Sequence, residues 1–373
     1  IIGLTLYLII LIYKITSNSY YINNSSMKRF GLGVNNLFYP SGGVDFILKN
    51  NIKGKIFNDV ETGSYAIYFF YPERKVFIDG RLEVMGDKHF NLFIRVLSDL
   101  RKLKNFILEE KFDVILFRYE PGAEKVVSFL SHLKGWELVY FDHSSFVLIK
   151  EGIRKDLSGS LEERLKFLEE EVKAKALAGG FSTTYFEQDP TRYFMYGKIL
   201  GSLGYNRLSC LYLTEAVKVN PGLFFIHRSA GDAYFTQGNM KAAEIFYTQA
   251  CQLNPEDISS LLGLARIAIR QSKYETALKY LKKSCRIKKN DATILFYKGI
   301  AEFYSNDFNA SFLTFKKLAE IAQSKKMRAT AYYNMGICKN KLNDPKQAEK
   351  LIKKAFLLDK KPVSYTHLTL PTN

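Results

Sequence analysis

The chain has 373 residues, of which 47% are hydrophobic and 14% aromatic, and its formal net charge at pH 7 is +17. The hydrophobic fraction indicates a folded chain rather than a disordered one, and the length predicts two or three domains. The positive charge is concentrated in residues 264–373, which carry 23 basic and 8 acidic side chains. Such a surface could contact anionic lipid, nucleic acid or an acidic partner, or simply face solvent. No nucleic-acid-binding motif accompanies it, so no nucleic-acid partner is expected.

The first segment, Ile1–Tyr13, is a continuous apolar run without an initiator methionine. A helix needs about 20 residues to span a bilayer, so this run is too short to do so alone. We interpret it as the truncated end of a transmembrane helix that contacts the membrane. A buried core helix or a damaged signal peptide are the alternatives.

Residues 28–150 alternate between apolar runs and helical patterns. The predicted strands are Lys55–Asn58, Lys75–Asp79, Phe112–Arg118, Trp136–Phe141 and Ser145–Lys150. The predicted helices are Val44–Asn51, Tyr65–Phe70, His89–Glu110 and Ala123–Leu133. This alternation predicts an α/β domain whose sheet is mostly parallel, with an antiparallel edge formed by the last two strands.

Polar side chains follow three of these strands, where ligands of parallel sheets usually bind. The candidate polar site consists of Asn58, Asp59, Asp79, Arg81 and Glu120. The same residues could instead be helix caps and a satisfied cluster of ion pairs. No Walker loop, dinucleotide fingerprint, nucleophile elbow or metal-ligand spacing is present in the sequence. We therefore predict no catalytic residues, no metal and no cofactor for this fragment, and its status as an enzyme stays open.

Residues 151–189 read as a helical linker. Ser160 and Glu163 have the spacing of a capping box, and Gly179 and Gly180 end the helical pattern. The charged composition of this helix predicts a strut between two domains rather than a binding site.

The second half of the chain repeats one pattern with a period of about 34 residues. Small residues recur at this period at Gly197, Gly231, Ala265 and Gly299, and a fifth, Gly336, follows after a slightly longer interval. Such a period is typical of a solenoid, in which each unit buries its apolar face against its neighbours. Within one unit, a turn signal separates two helical patterns, so each unit is predicted to be a helix–turn–helix hairpin.

These motifs resemble the tetratricopeptide repeat (TPR), over residues 190–361 and about five units. The second unit, for example, has Gly231, Tyr234, Ala243, Tyr247 and Ala250 at the family's positions. The resemblance implies an all-α solenoid that binds a protein or peptide on its concave face. The groove positions it implies are Phe194, Lys198, Phe225, Arg228, Asp232, Phe235, Arg266, Arg270, Phe296, Phe303 and Tyr304, about half of which we expect to be core. Aromatic and basic side chains together suit an extended or acidic peptide.

A second resemblance involves residues 28–150, through Arg29–Val34, Phe57–Asp59, Gly63–Tyr65 and Lys75–Arg81. This region is similar to a soluble module that follows the last membrane helix of GT-C glycosyltransferase-like bacterial proteins. The resemblance implies a membrane-anchored protein whose soluble domains are extracytoplasmic, at the periplasm or cell surface. It also gives the alternative function, an accessory part of a transferase that uses a lipid-linked sugar donor. Residues 363–373 instead resemble translated sequencing adapter, and we exclude them from the fold.

Overall fold

The computed structural model describes residues 2–16, 39–81, 84, 86–120, 122–157, 159–177 and 190–359. Predictions for the start of the α/β domain before residue 39, for residues 178–189 of the linker and for the tail at 363–373 lie outside these ranges. The chain divides into two compact units, Ile1–Ala233 and Tyr234–Asn373, and each is described by itself.

The first unit begins with helix α1, Ile2–Thr16, whose large apolar side chains are almost all exposed. Among the residues that the structure describes, no helix combines the length and the apolar character needed to cross a bilayer. The predicted transmembrane end is therefore not confirmed.

The sheet domain follows. Its elements are α2 (Ser41–Lys49), β1 (Ile56–Asn58), α3 (Val60–Phe70), α4 (Asp87–Leu97), α5 (Leu100–Glu109), β2 (Val114–Arg118), α6 (Glu124–Ser131), β3 (Trp136–Phe141) and β4 (Ser145–Lys150). The strand order is β1-β2-β4-β3. Among the strands of the described residues, β1 and β2 alone pair in parallel, whereas β4 pairs antiparallel with both β2 and β3. The expectation of a mostly parallel sheet is wrong, because the terminal hairpin inserts its second strand beside β2 and makes the sheet mixed.

Two further sequence expectations are corrected. The run Lys75–Asp79 is not a strand, because the side chain of Asn58 takes the hydrogen bonds that a neighbouring strand would make. The single helix predicted over His89–Glu110 is two helices, α4 and α5. The second begins where the Asp99 carboxylate accepts a hydrogen bond from the Arg101 N–H, an N-cap that starts a new helix.

After a short 3₁₀ turn at Lys155–Leu157, helix α7 spans Ser160–Leu177. Leu168 and Val172 of α7 are buried, so this part of the linker packs into the first unit rather than standing apart in solvent. Helices α8 (Thr191–Ser202) and α9 (Asn206–Val219) then form the first hairpin, and α10 (Phe224–Gln237) follows.

The remaining helices are α11 (Met240–Leu253), α12 (Ile258–Arg270), α13 (Tyr274–Ile287), α14 (Ala292–Tyr304), α15 (Phe308–Ile321), α16 (Lys325–Lys341) and α17 (Pro345–Leu358). Side-chain caps start most of them, as Asp257 does for α12 and Asp307 for α15. The repeated small residues lie where paired helices touch. An added Cβ at Gly336 would come 2.6 Å from Ile352, for example. The predicted order, a small sheet domain followed by helical hairpins, is thus confirmed.

Candidate protein-interaction site

In the first unit, one predicted groove residue, Lys198, is engaged by another part of the same unit. The Lys198 Nζ on α8 lies 2.8 Å from an Oε1 oxygen of Glu124 on α6, and both side chains are mostly buried. Burial alone would raise the pKa of Glu124, but the hydrogen bond and charge of Lys198 more than offset it and leave the pKa below its usual value. The first repeat therefore uses Lys198 to hold the sheet domain.

The other predicted groove residues of the first unit are Phe194, Phe225, Arg228 and Asp232. Phe194 is buried and meets Phe225 edge to face, with ring centroids 5.6 Å apart. The guanidinium of Arg228 lies 5.9 Å from the ring centroid of Phe224. Asp232 is exposed. Phe194 thus contributes mainly to packing, whereas Arg228 and Asp232 lie nearer the surface.

In the second unit, the structure brings three predicted residues together. The ring of Phe235 is contacted by two guanidinium groups, that of Arg266 at 4.1 Å and that of Arg270 at 4.4 Å from the ring centroid. These arginines are four residues apart on α12, so they project from the same face of that helix. Phe235 is only 7% exposed and holds both guanidinium groups by cation–π contacts. We call Phe235, Arg266 and Arg270 the arginine clamp.

The clamp carries charge that its surroundings do not neutralise. Within the described part of the second unit, neither Arg266 nor Arg270 has a carboxylate partner, and the only side-chain hydrogen bond of Arg270 is a long contact from its Nη1 to the sulfur of Met240. Two like charges one helical turn apart repel each other. The fork-shaped donors of arginine suit carboxylate groups, so this arrangement can accept an acidic side chain.

A second aromatic ring contacts the clamp. Arg266 also lies 5.8 Å from the ring centroid of Tyr297 on α14. Tyr304, another predicted groove residue, stacks on Tyr274 with centroids 5.2 Å apart and an interplanar angle of 11°. The sequence pattern did not single out Tyr274 or Tyr297, because neither lies at a position that the repeat resemblance assigns to the groove.

The two remaining predicted residues belong mainly to the core. Phe303 is buried and packs edge to face on Phe308. Phe296 is half-buried and meets Phe315 at 6.5 Å between centroids. Of the predicted aromatic residues, Phe194, Phe235 and Phe303 are buried, and Phe225, Phe296 and Tyr304 are half-buried.

The predicted polar site at the strand ends is held by internal hydrogen bonds. Asn58 is fully buried and donates to the carbonyl of Ile78 at 2.6 Å, while its Oδ1 accepts from the Phe77 N–H at 2.8 Å. Asp59 caps α3 through Thr62 and accepts from the Arg118 N–H at 2.7 Å. Burial is the main influence on Asp59 and raises its pKa, although these hydrogen bonds lower it.

The other members of this set form local ion pairs. The Asp79 carboxylate accepts from both Nε and Nη2 of Arg81, and this side-chain hydrogen bonding lowers the pKa of Asp79. The Glu120 carboxylate lies 2.6 Å from Nη2 of Arg118. These contacts match the alternative of caps and ion pairs. No cluster of three metal-ligating side chains occurs within the described ranges.

A polar joint that sequence reasoning missed lies between α7, α8, α9 and β3. The Nη2 of Arg164 donates to the Tyr196 hydroxyl at 2.6 Å, and its guanidinium also lies 5.9 Å from the ring centroid of Tyr140. Tyr212 donates to the carbonyl of Leu168 at 3.1 Å. Burial raises the pKa of Tyr196. One sequence signal pointed to this joint: a tyrosine, Tyr196, directly precedes the repeated small residue Gly197.

Comparison with known proteins supports the repeats. A tetratricopeptide repeat family model matches residues 229–257, 258–291 and 329–362. Residues 292–328 lie outside those matches but still form the hairpin α14–α15. No curated protein matches the chain. Nothing in these matches covers residues 28–150, so the resemblance to a GT-C-associated module stays a prediction.

Solved structures show the same kind of similarity. The crystal structure of YrrB, a TPR protein described as having an unusual peptide-binding site, is 18% identical, with a TM-score of 0.42, over 47% of this chain and 89% of that one. MamA from Desulfovibrio magneticus RS-1 is 15% identical, with a TM-score of 0.44, over 48% of this chain and 98% of that one. Together, the family matches and the helical hairpins identify tetratricopeptide repeats in this chain.

Proposed function

We propose that the repeats form a protein-interaction surface, and that the arginine clamp binds an acidic, extended segment of a partner protein. The observation that carries this proposal is the pair Arg266 and Arg270, both held on Phe235 without a neutralising carboxylate in the described part of the unit. Cation–π contacts fix the guanidinium groups in place, which lowers the entropy lost when they bind a ligand. Tyr297 adds aromatic area beside Arg266.

The test compares peptides and protein variants together. Pairs of short fluorescent peptides, identical except that Glu is replaced by Gln, are titrated with the full chain and followed by fluorescence anisotropy. We expect the Glu peptides to bind more tightly, and Arg266→Gln with Arg270→Gln to remove that preference. Lys279→Gln with Arg286→Gln is the control, because it removes the same charge from α13. Equal binding of Glu and Gln peptides to the wild type would contradict the proposal.

Membrane tethering through Ile1–Tyr13, an extracytoplasmic location and the alternative role beside a GT-C-type transferase stay predictions from the sequence. No observation among the described residues favours the transferase role. The full-length reading frame distinguishes these ideas. A run of many membrane helices, with an acidic residue in the first large loop, would favour the transferase, whereas a single anchor would favour the tethered interaction protein.

A further inference from the structure

Three lysine pairs occupy equivalent positions in the last three repeats. They are Lys282-Lys283 on α13, Lys316-Lys317 on α15 and Lys353-Lys354 on α17. The second pair follows the first by one repeat period, and the third follows the second by the slightly longer interval that separates Gly299 from Gly336. All six side chains are exposed. We call these six residues the lysine column.

Electrostatic contacts between repeats show that these helices follow one another in register. Burial raises the pKa of Cys251 on α11 to about 11, and among the nearby charges the ammonium of Lys283 lowers it. Burial likewise raises the pKa of Cys285 on α13, and Lys317 is one of the ammonium groups that offset this. The two cysteines are separated by one repeat period, as are the two lysines. Lys283 and Lys317 thus each lie near the cysteine of the preceding repeat.

The lysine column has little neutralising charge. Within the described part of the second unit, Lys353 alone among the six pairs with a carboxylate, that of Glu349 at 2.5 Å, and both side chains are well exposed. Lys354 lies 4.1 Å from the ring centroid of Tyr332. Exposed ion pairs contribute little, so the column keeps a strong positive potential.

Exposed apolar side chains accompany the lysine column on each helix. Leu313 is 63% exposed on α15, Leu357 is 87% and Phe356 48% exposed on α17, and Ile287 is 38% exposed on α13. Each lies three or four residues from a lysine of its pair, the spacing of neighbours on one helical face. A face that combines lysines with exposed apolar side chains can meet both the anionic headgroups of a bilayer and the boundary of its acyl chains.

We propose that the lysine column and its apolar neighbours dock on a bilayer that contains anionic lipid. Charge complementarity selects anionic headgroups, and the aliphatic side chains enter the boundary between headgroups and acyl chains. Lysines also contact nucleic-acid phosphates, but the exposed aliphatic side chains beside the column suit acyl chains rather than bases. This site uses α13, α15 and α17, whereas Arg266 and Arg270 of the arginine clamp are on α12, so the two proposals are independent.

The experiment measures partitioning of the full chain onto sedimented vesicles of pure phosphatidylcholine and of phosphatidylcholine with phosphatidylglycerol. Because α1 also exposes apolar residues, the readout is the ratio of binding to anionic and neutral vesicles. The column variant changes all six lysines to Gln. The matched control changes six exposed lysines of the sheet domain to Gln, namely Lys53, Lys88, Lys102, Lys104, Lys111 and Lys125. Circular dichroism and thermal unfolding verify that both variants keep the wild-type fold.

Each lysine near an anionic surface strengthens binding about fivefold, so we expect the column variant to lose about 100-fold or more of the anionic preference. The control should stay within about threefold of the wild type, and about 0.5 M salt should weaken the wild-type preference strongly. Leu313→Asn with Leu357→Asn should weaken binding to anionic vesicles about tenfold.

Three results would overturn the proposal. One is a wild type that binds anionic and neutral vesicles equally, and another is a control that loses as much as the column variant. The third is a column-dependent affinity for a short single-stranded oligonucleotide that exceeds the affinity for anionic vesicles, which would assign the column to nucleic acid.

Discussion

The aromatic ring of Phe315 on α15 lies directly against Gly299 on α14, so that a Cβ added to the glycine would come within 2.7 Å of the ring Cζ. The same relation joins Gly197 to Leu213 in the first unit. The two helices of a hairpin pack so closely at this position that only a small residue fits between them. This close contact explains why a small residue recurs once in each repeat.

Gly299→Ala is expected to destabilise the second unit by about 1–3 kcal/mol, because the new methyl group overpacks Phe315. The higher helix propensity of alanine offsets about 1 kcal/mol of the gross cost. Denaturant unfolding followed by circular dichroism measures the effect. Gly222→Ala is the control, since its Cβ would meet nothing nearer than 3.4 Å. Equal stability of both variants would argue against the close helix contact.

Asn58→Ala is expected to destabilise the first unit by about 2–4 kcal/mol, because it removes buried hydrogen bonds and leaves the Phe77 N–H and the Ile78 carbonyl without this partner. Thermal unfolding of the full chain measures the loss. The exposed Asn91 on α4 gives the matched control, Asn91→Ala, which should change stability by less than about 0.5 kcal/mol. If Asn58→Ala lowered stability by no more than the control, the internal hydrogen bonds of Asn58 would contribute little, and the prediction of a ligand site there would regain support.

Lys198→Gln is expected to lower the stability of the first unit at pH 7 by about 1 kcal/mol, because it leaves Glu124 charged and partly buried without its partner. The lowered pKa of Glu124 in the folded wild type means that the pair stabilises above the usual pKa of 4.5, and this contribution is lost as the pH falls through the folded-state pKa. The difference between variant and wild type should therefore shrink in acid.

Urea unfolding at a series of pH values measures this dependence, with the exposed neighbour variant Lys125→Gln as the control. Binding of acidic peptides should be unaffected by Lys198→Gln. If Lys198→Gln weakened peptide binding without lowering stability, Lys198 would instead be a peptide-binding residue of the groove.

Arg164→Met is expected to loosen α7 from the first repeat, because it removes the hydrogen bond to Tyr196 and the contacts with nearby rings. Hydrogen–deuterium exchange should show about tenfold faster exchange in α7 and α8, whereas Lys166→Met on the exposed face of α7 should leave exchange unchanged. Unaltered protection in the Arg164 variant would mean that Leu168 and Val172 alone hold the helix.

The hairpins were predictable because their signals are local and repeat. A small residue at Gly299 and a cap at Asp307 determine the crossing and the start of a helix from residues close in sequence. The mixed sheet was not predictable in this way. The apolar strand Ser145–Lys150 would fit either a parallel or an antiparallel neighbour, and only its pairing with β2, which is distant in sequence, decides the orientation.

The candidate site was predictable in part. The groove positions that the repeat resemblance implies placed Arg266, Arg270 and Phe235 on one surface, and the structure brings these three side chains together. The ion pair of Lys198 with Glu124 depends on how the sheet domain packs on the first repeat, and no local pattern encodes that packing. The prediction of a strand at Lys75–Asp79 was wrong for a similar reason. The side chain of Asn58, distant in sequence, makes the hydrogen bonds that a neighbouring strand would have made.

Hydrogen–deuterium exchange of the full chain, with and without a bound Glu-containing peptide, shows whether the repeats bind an acidic segment at the arginine clamp. We expect slower exchange in α12 and α14, which carry Arg266 and Tyr297, and no change in α13 or α15. Arg266→Gln with Arg270→Gln should abolish the protection. Protection confined to α13 and α15, or protection that persists in the double variant, would contradict the claim.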